Sequence, residues 1–124
     1  METVPCFLYI YTSMETLSIV LYDFKSDDIK INIEARFDGD ALTVDGYDIG
    51  KRVEEFWGDS DYEYQVTVPA DEMEKLYNAL KISPGKKQEL LNELANRFSG
   101  NTAYSSFRQF LTDNEIRNEG FTWT

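Results

Sequence analysis

The clearest structural signal in the chain is the stretch IKINIEARF at residues 29–37. Its apolar residues occupy alternate positions, with polar or charged residues between them. A period of two is typical of a strand with one buried face and one solvated face. Asp38-Gly39 follows, a dipeptide favoured in tight hairpins because both central residues of such a turn need positive φ. Leu42 and Val44 then alternate in the same way, so the sequence predicts a returning antiparallel strand.

Other parts of the chain also have the composition of strands. Residues 6–11 and 17–24 are rich in β-branched and aromatic residues, and residues 62–68 alternate like the first stretch. Polar residues 25–28 predict a turn. Residues 121–124 alternate like a terminal edge strand. An antiparallel meander is the most economical arrangement of these strands.

A helical period follows the hairpin. From Ile49, apolar residues fall at i, i+4, i+7 and i+8, which form one stripe of a helix. Asp48 suits the N-cap position and Gly58 suits the position after the last turn. The sequence therefore predicts a short helix over residues 48–58.

Three more helices are predicted in the C-terminal half. The first follows Pro69, and the second opens at Ser83-Pro84, with Ser83 as cap and Pro84 at the first helical position. The apolar stripes of the three helices are Met73, Leu76, Tyr77 and Leu80; Leu90, Leu91, Leu94 and Phe98; and Tyr104, Phe107, Phe110 and Leu111. We therefore expect a single α+β domain over residues 1–124, with about four helices, mainly C-terminal, packed on one face of an antiparallel meander sheet.

The composition excludes several kinds of active site. The chain has 124 residues and no histidine, so neither a Ser-His pair, a Cys-His pair nor an imidazole zinc site can form. Cys6 is the single cysteine, which excludes an intramolecular disulfide and a thiolate metal site. It lies in an apolar run, and we expect a buried, unreactive thiol. No cofactor is expected.

The charge points to a class of partner. There are 12 basic and 23 acidic residues, giving a formal charge of −11. Nucleic acids and anionic membranes bind clusters of Lys and Arg, so neither is an expected partner, whereas a basic protein is. The N-terminus lacks the features of a signal peptide, and no apolar stretch approaches the ~18 residues of a membrane span. We therefore expect a cytoplasmic protein.

Most of the negative charge belongs to one segment. Residues 38–74 contain twelve acidic and two basic residues, whereas the rest of the chain is almost neutral. Carboxylates and aromatic anchors together could bind a basic protein, and the candidate residues are Asp45, Asp48, Glu54, Glu55, Trp57, Asp59, Asp61 and Tyr62. The alternative interpretation is structural, because acidic residues also occupy turns and helix starts and keep a surface soluble.

No catalytic or metal-binding residue can be selected from the sequence. Asp59, Asp61 and Glu63 alternate as Ca²⁺ ligands can, but the glycine and the distant glutamate of an EF-hand are missing, so a plain loop is favoured. Glu54 and Glu55 are adjacent and would point apart on a helix. Two other hypotheses remain open. One is a structural domain that self-associates through the strand at residues 121–124, and the other is a carboxylate enzyme that uses a divalent cation.

Two resemblances add to these expectations. The string from Asp45 to Gly50, continued from Val53 to Tyr64, resembles small uncharacterised bacterial proteins. The C-terminal third shares with them the positions Phe107, Phe110, Leu111, Ile116 and Trp123. No activity is established for such proteins, so no catalytic residue is implied. In size and acidity the chain is also similar to bacterial immunity proteins, which neutralise toxins. This likeness implies a non-enzymatic inhibitor of a basic protein.

Overall fold

The computed structural model describes residues 17–50 and 61–123. In these ranges five strands form one antiparallel sheet, in which each strand pairs with the next along the chain. The strands are β1 Ser18–Lys25, β2 Ile29–Asp38, β3 Ala41–Gly50, β4 Asp61–Val68 and β5 Glu119–Trp123. The predicted meander is confirmed, and β5 lies at an edge among the five described strands, as expected for the C-terminal stretch. The strand predicted at residues 6–11, with Cys6, lies outside the described residues.

The hairpin between β2 and β3 turns one residue later than predicted. Asp38 pairs with Ala41, so the central residues of the turn are Gly39 and Asp40. Only Gly39 has a positive φ, at +64°. Glycine at the first central position is typical of a type II′ turn, which needs positive φ there alone. Asp38 is therefore still a strand residue.

The three C-terminal helices are confirmed in place. Pro69 ends β4 and precedes a 3-10 turn at Ala70–Glu72. The helices are α1 Met73–Leu80, α2 Lys87–Arg97 and α3 Ala103–Asp113. The predicted start of α2 at Ser83-Pro84 is wrong. The N–H of Lys86 donates to the carbonyl of Ser83, and Gly85 has a φ of +90°, which no right-handed helix accommodates.

The prediction that a helix begins at Asp48 is also wrong. β3 continues to Gly50, and Asp48 pairs with Ile31 on one side and Tyr62 on the other. Backbone pairing to two neighbouring strands outweighs a helical period that extends over only a few residues. Residues 51–58 lie outside the described ranges. The described residues therefore contain three α-helices rather than about four.

The core lies between the sheet and the helices. Apolar side chains of β1 to β4 pack there against all three helices, as predicted. The largest fully buried side chains include Phe107 of α3, Leu94 of α2 and Leu76 of α1. The strand residues that alternate with the core residues form the opposite side of the sheet, which we call the open face. It includes Val20, Asp23 and Lys25 of β1; Lys30, Asn32, Glu34 and Arg36 of β2; Asp45 and Tyr47 of β3; Glu63 and Gln65 of β4; and Phe121 of β5.

Candidate functional site

The side chains of the open face fall into rows that cross the strands, because directly paired residues of an antiparallel sheet point to the same side. The central row is Asp23, Asn32, Tyr47 and Glu63, one residue from each of β1 to β4. Two residues further along the strands, Lys25 pairs with Lys30. The central row thus places an aromatic ring between two carboxylates, with two ammonium groups beside it.

These rows line a depression of about 620 Å³ in the open face. Its lining includes the whole central row, the two lysines and Gln65. Tyr47 lies in the row between Asn32 and Glu63 and is 38% exposed. Pockets for small molecules have volumes of about 300–1,000 Å³ but are lined mainly by apolar side chains. The side chains that line this depression are instead mainly polar and charged.

Gly46 and Tyr64 hold β3 and β4 together beneath this depression. They are directly paired, and a Cβ atom on Gly46 would lie 1.9 Å from Cε2 of Tyr64. The ring of Tyr64 therefore lies across the glycine on the helix side of the sheet. Its hydroxyl donates to Oδ1 of Asp48 at 2.8 Å, and its ring meets that of Tyr104 of α3 with centroids 4.6 Å apart. These contacts anchor the floor of the depression to α3.

The electrostatics of this anchor differ from those of the open face. Burial raises the pKa of Asp48 above its ordinary value of 3.8, and the hydrogen bond from Tyr64 acts in the opposite direction. Burial and the Asp48 carboxylate both raise the pKa of Tyr64, so this hydroxyl is a neutral donor at physiological pH. Asp48 lies on the helix side, so its carboxylate belongs to the packing of the sheet rather than to the depression.

The substitution Asp48→Asn is expected to stabilise the fold at neutral pH. An acid whose pKa is raised on folding contributes full stability below its ordinary pKa, and this is lost as the pH rises through the raised value. Asparagine removes the charge but keeps an oxygen that accepts from Tyr64. Urea denaturation should show an advantage of the variant that grows from pH 4 to pH 7. Asp23→Asn, on the exposed side, is the control, and an advantage of Asp48→Asn that is independent of pH would contradict the prediction.

Several acidic residues of the 38–74 segment are neutralised by cations from outside it. Arg36 pairs with both Asp38 and Asp45. The hydrogen bond to Asp45 is the main cause that raises the pKa of Arg36. Lys87 of α2 lies 3.1 Å from Asp40, and Arg117 lies 2.8 Å from Asp71. The segment is thus strongly acidic in sequence, but ion pairs neutralise part of its negative charge in the folded structure.

Glu72 is neutralised in the same manner. Its carboxylate accepts from the backbone N–H of Arg117 at 2.8 Å and lies 3.1 Å from Nζ of Lys75. These two donors, the backbone N–H first, lower the pKa of Glu72. In the depression, by contrast, neither Asp23 nor Glu63 forms an ion pair with a described residue. These two carboxylates are therefore available to a ligand.

The structure does not bring all of the sequence-predicted binding residues together. Asp45 lies on the open face, whereas Asp48 and Tyr62 are directly paired on the helix side. Asp61 pairs with Ile49 at the end of β4. The remaining candidates, Glu54, Glu55, Trp57 and Asp59, lie outside the described residues. Of the stretch weighed as a Ca²⁺ loop, residues 59–60 lie outside them and residues 61–63 belong to β4.

The residues of the central row were not selected from the sequence. A two-residue period places Asn32, Tyr47 and Glu63 on the solvated side of their strands. In β1 a register shift between Val20 and Tyr22 interrupts this period, so the position of Asp23 follows from the pairing with β2. That period extends through Asp45 and Tyr47, but the helix predicted from Asp48 ended the strand too early. The row itself depends on strand register, which no short-range pattern specifies.

Other kinds of site find little support in residues 17–50 and 61–123. There, no three residues among Cys, Asp and Glu are grouped so that they could hold a metal ion. In the same ranges, no helix has the length and apolar character needed to cross a membrane. Comparisons with protein families, with curated proteins and with solved structures find no match to this chain. The open face therefore has to be interpreted from its own chemistry.

Proposed function

We propose that this chain is a non-enzymatic acidic binding protein whose open face binds a basic protein, in the manner of an immunity-like inhibitor. The observation that carries the proposal is the central row, in which the exposed ring of Tyr47 lies between the carboxylates of Asp23 and Glu63. A guanidinium or ammonium group placed on this ring would meet a π face and a carboxylate together. Cations bind aromatic faces within about 6 Å of the ring centroid.

The dimensions of the row suit a protein partner. Neighbouring strands lie about 4.8 Å apart, so Asp23 and Glu63, separated by three such spacings, span roughly 14 Å. Two or three side chains of a partner can lie along this length. Tyrosine is enriched at the energetic centres of protein interfaces because it buries a large rigid area and keeps a polar end.

The net charge supports the same kind of partner. A formal charge of −11 creates a field that attracts basic proteins and speeds their encounter with the chain. An inhibitor that must bind before its target acts benefits from fast association. Glu54, Glu55, Trp57, Asp59 and Asp61 remain part of the proposed acidic surface, together with Asp45 of the open face, whereas Asp48 and Tyr62, on the helix side, do not belong to it.

Tyr47→Ala is expected to weaken binding of the basic partner by about 5- to 30-fold, since truncating an anchor of this kind costs about 1–2 kcal/mol. The partner would be captured on the immobilised chain at low salt and released at high salt, because exposed charges are screened within about 10 Å at 0.1 M. Its affinity for each variant would then be measured by surface plasmon resonance. Glu63→Gln should weaken binding to a smaller extent.

Two matched variants serve as controls. Phe24 is 41% exposed, close to the exposure of Tyr47, but its side chain lies on the helix side of the sheet, so Phe24→Ala should leave the affinity unchanged. Glu89→Gln on α2 removes the same charge as Glu63→Gln at a distance from the open face. A partner that is neutral or acidic and insensitive to salt, or one that binds Tyr47→Ala as tightly as the wild type, would contradict the proposal.

A further inference from the structure

Two lysines at one end of the depression face each other without a carboxylate partner. Lys25 of β1 and Lys30 of β2 are directly paired, and both line the depression. Like charges opposite each other destabilise a pair of strands. Neither lysine forms an ion pair with a described residue, although Asp27 and Asp28 occupy the turn between them. In a chain with 23 acidic residues, this leaves two cations beside the central row free for an external anion.

We propose that Lys25 and Lys30 bind a carboxylate of the same partner whose basic group lies on Tyr47, so that the partner segment is of mixed charge. The inference rests on the proposed function, because it assigns a second position on the same face. Lys25 and Lys30 form a second row, two residues or about 6.7 Å along the strands from the central row, and Lys30 is one strand to the side of Tyr47, so these two positions lie about 8 Å apart. An extended partner segment with a basic residue at i and an acidic residue at i+2 presents its side chains about 6.7 Å apart, close to this distance.

The lysines would then determine specificity. The field of the acidic chain attracts any basic protein, so it cannot by itself select one. Lys25 and Lys30 repel a segment that carries a positive charge over the lysine row, and they favour one that carries a carboxylate there. Discrimination by a repulsive element beside an attractive one is a common property of specific interfaces. The target is therefore a basic protein that exposes an Arg-x-Glu or Lys-x-Asp segment in extended form.

Carboxylate binding by Lys25 and Lys30, and attraction by the net charge of the chain alone, predict opposite results. Two capped synthetic peptides would be compared, identical except for an Arg-Thr-Glu or an Arg-Thr-Gln core, by fluorescence anisotropy with the full chain. If the charge field alone determines affinity, the more positive Gln peptide binds more tightly. If the lysines bind a carboxylate, the Glu peptide binds more tightly, by about two- to fivefold, as expected for an exposed ion pair.

Variants of the lysines sharpen this comparison. Lys25→Glu/Lys30→Glu should reverse the order of the two peptides, and Lys25→Gln/Lys30→Gln should abolish the preference for the Glu peptide. Lys81→Glu/Lys86→Glu is the matched control. It changes the charge equally at two exposed lysines between α1 and α2, and should leave the order unchanged.

The outcomes separate the two proposals. If the wild type prefers the Gln peptide, and both peptides still lose affinity with Tyr47→Ala, the role of the lysines is overturned while the binding function of the open face stands. If Tyr47→Ala leaves the affinity of both peptides unchanged, the proposed function fails, and the inference fails with it. A preference for the Glu peptide that is lost in both Lys25/Lys30 variants, but kept in the Lys81/Lys86 variant, supports both.

Discussion

Phe107→Ala is expected to lower the free energy of unfolding by about 3–5 kcal/mol, as truncation of a buried phenylalanine does. Phe107 of α3 is fully buried, and its ring meets that of Phe98 edge to face with centroids 5.5 Å apart. Alanine at this position would remove the ring from the centre of the helix layer and leave a cavity that the surrounding side chains fill only in part. Since domains are stable by only about 5–15 kcal/mol, the loss is a large share of the total.

An exposed phenylalanine separates the effect of burial from the effect of removing an aromatic ring. Phe121 of β5 is 57% exposed on the open face, so Phe121→Ala should cost less than about 1 kcal/mol. Urea denaturation of both variants provides the comparison. If Phe107→Ala does not fold, Phe107→Leu, which keeps most of the side-chain volume, provides a folded variant with a smaller loss of stability that can still be measured. Equal costs for Phe107→Ala and Phe121→Ala would show that α3 does not pack on the core as described.

Phe107 was predicted as a core residue because short-range periodicity reports burial directly. The same is true of the strand at residues 29–37 and of the stripe on α1, where Leu76 and Leu80 are buried. In each case the side chains that repeat at the period of the element are those that face the other layer. These parts of the fold depend on residues within one element, so one element's sequence is enough to predict them.

The parts that were not predicted depend on contacts between elements. Asp48 suited a helix N-cap locally, but its strand pairing with Tyr62 and its hydrogen bond from Tyr64, 16 residues away, are contacts between elements. Likewise Lys87 neutralises Asp40 from a distant helix. The central row of the open face needs the register of four strands at once, and register follows from the packing of the whole sheet. A local pattern could indicate the solvated side of each strand, but not which residues would be neighbours.

Gly46→Ala should lower the free energy of unfolding by about 2–4 kcal/mol. This is the opposite of the usual result, because replacing a strand glycine of negative φ with alanine normally stabilises a protein. The reason is the ring of Tyr64, which is 8% exposed and occupies the space where the new Cβ would lie. The ring has to move, and the movement breaks the 2.8 Å hydrogen bond from its hydroxyl to Asp48. A half-buried carboxylate would then lose its donor, which adds to the cost of overpacking.

Gly120 of β5 provides the matched control for this prediction. It also lies in a strand with negative φ, but a Cβ there would meet its nearest atoms at 3.5 Å, an ordinary contact. Gly120→Ala should therefore be neutral or slightly stabilising, because alanine restricts the unfolded chain. Both variants add one methyl group to a strand glycine of negative φ, so the excess cost of Gly46→Ala over Gly120→Ala in urea denaturation reports the contact with Tyr64.

The double variant Gly46→Ala/Tyr64→Ala tests the cause. If the ring is the obstacle, the glycine substitution should cost much less in the Tyr64→Ala background than in the wild type, and the coupling between the two positions should exceed about 1 kcal/mol. If the two costs simply add, the destabilisation has another origin, and Tyr64 does not hold β3 to β4 through Gly46. Because this pair lies beneath the depression, Gly46→Ala should also weaken binding at Tyr47, the residue next to it in β3, whereas Gly120→Ala should not.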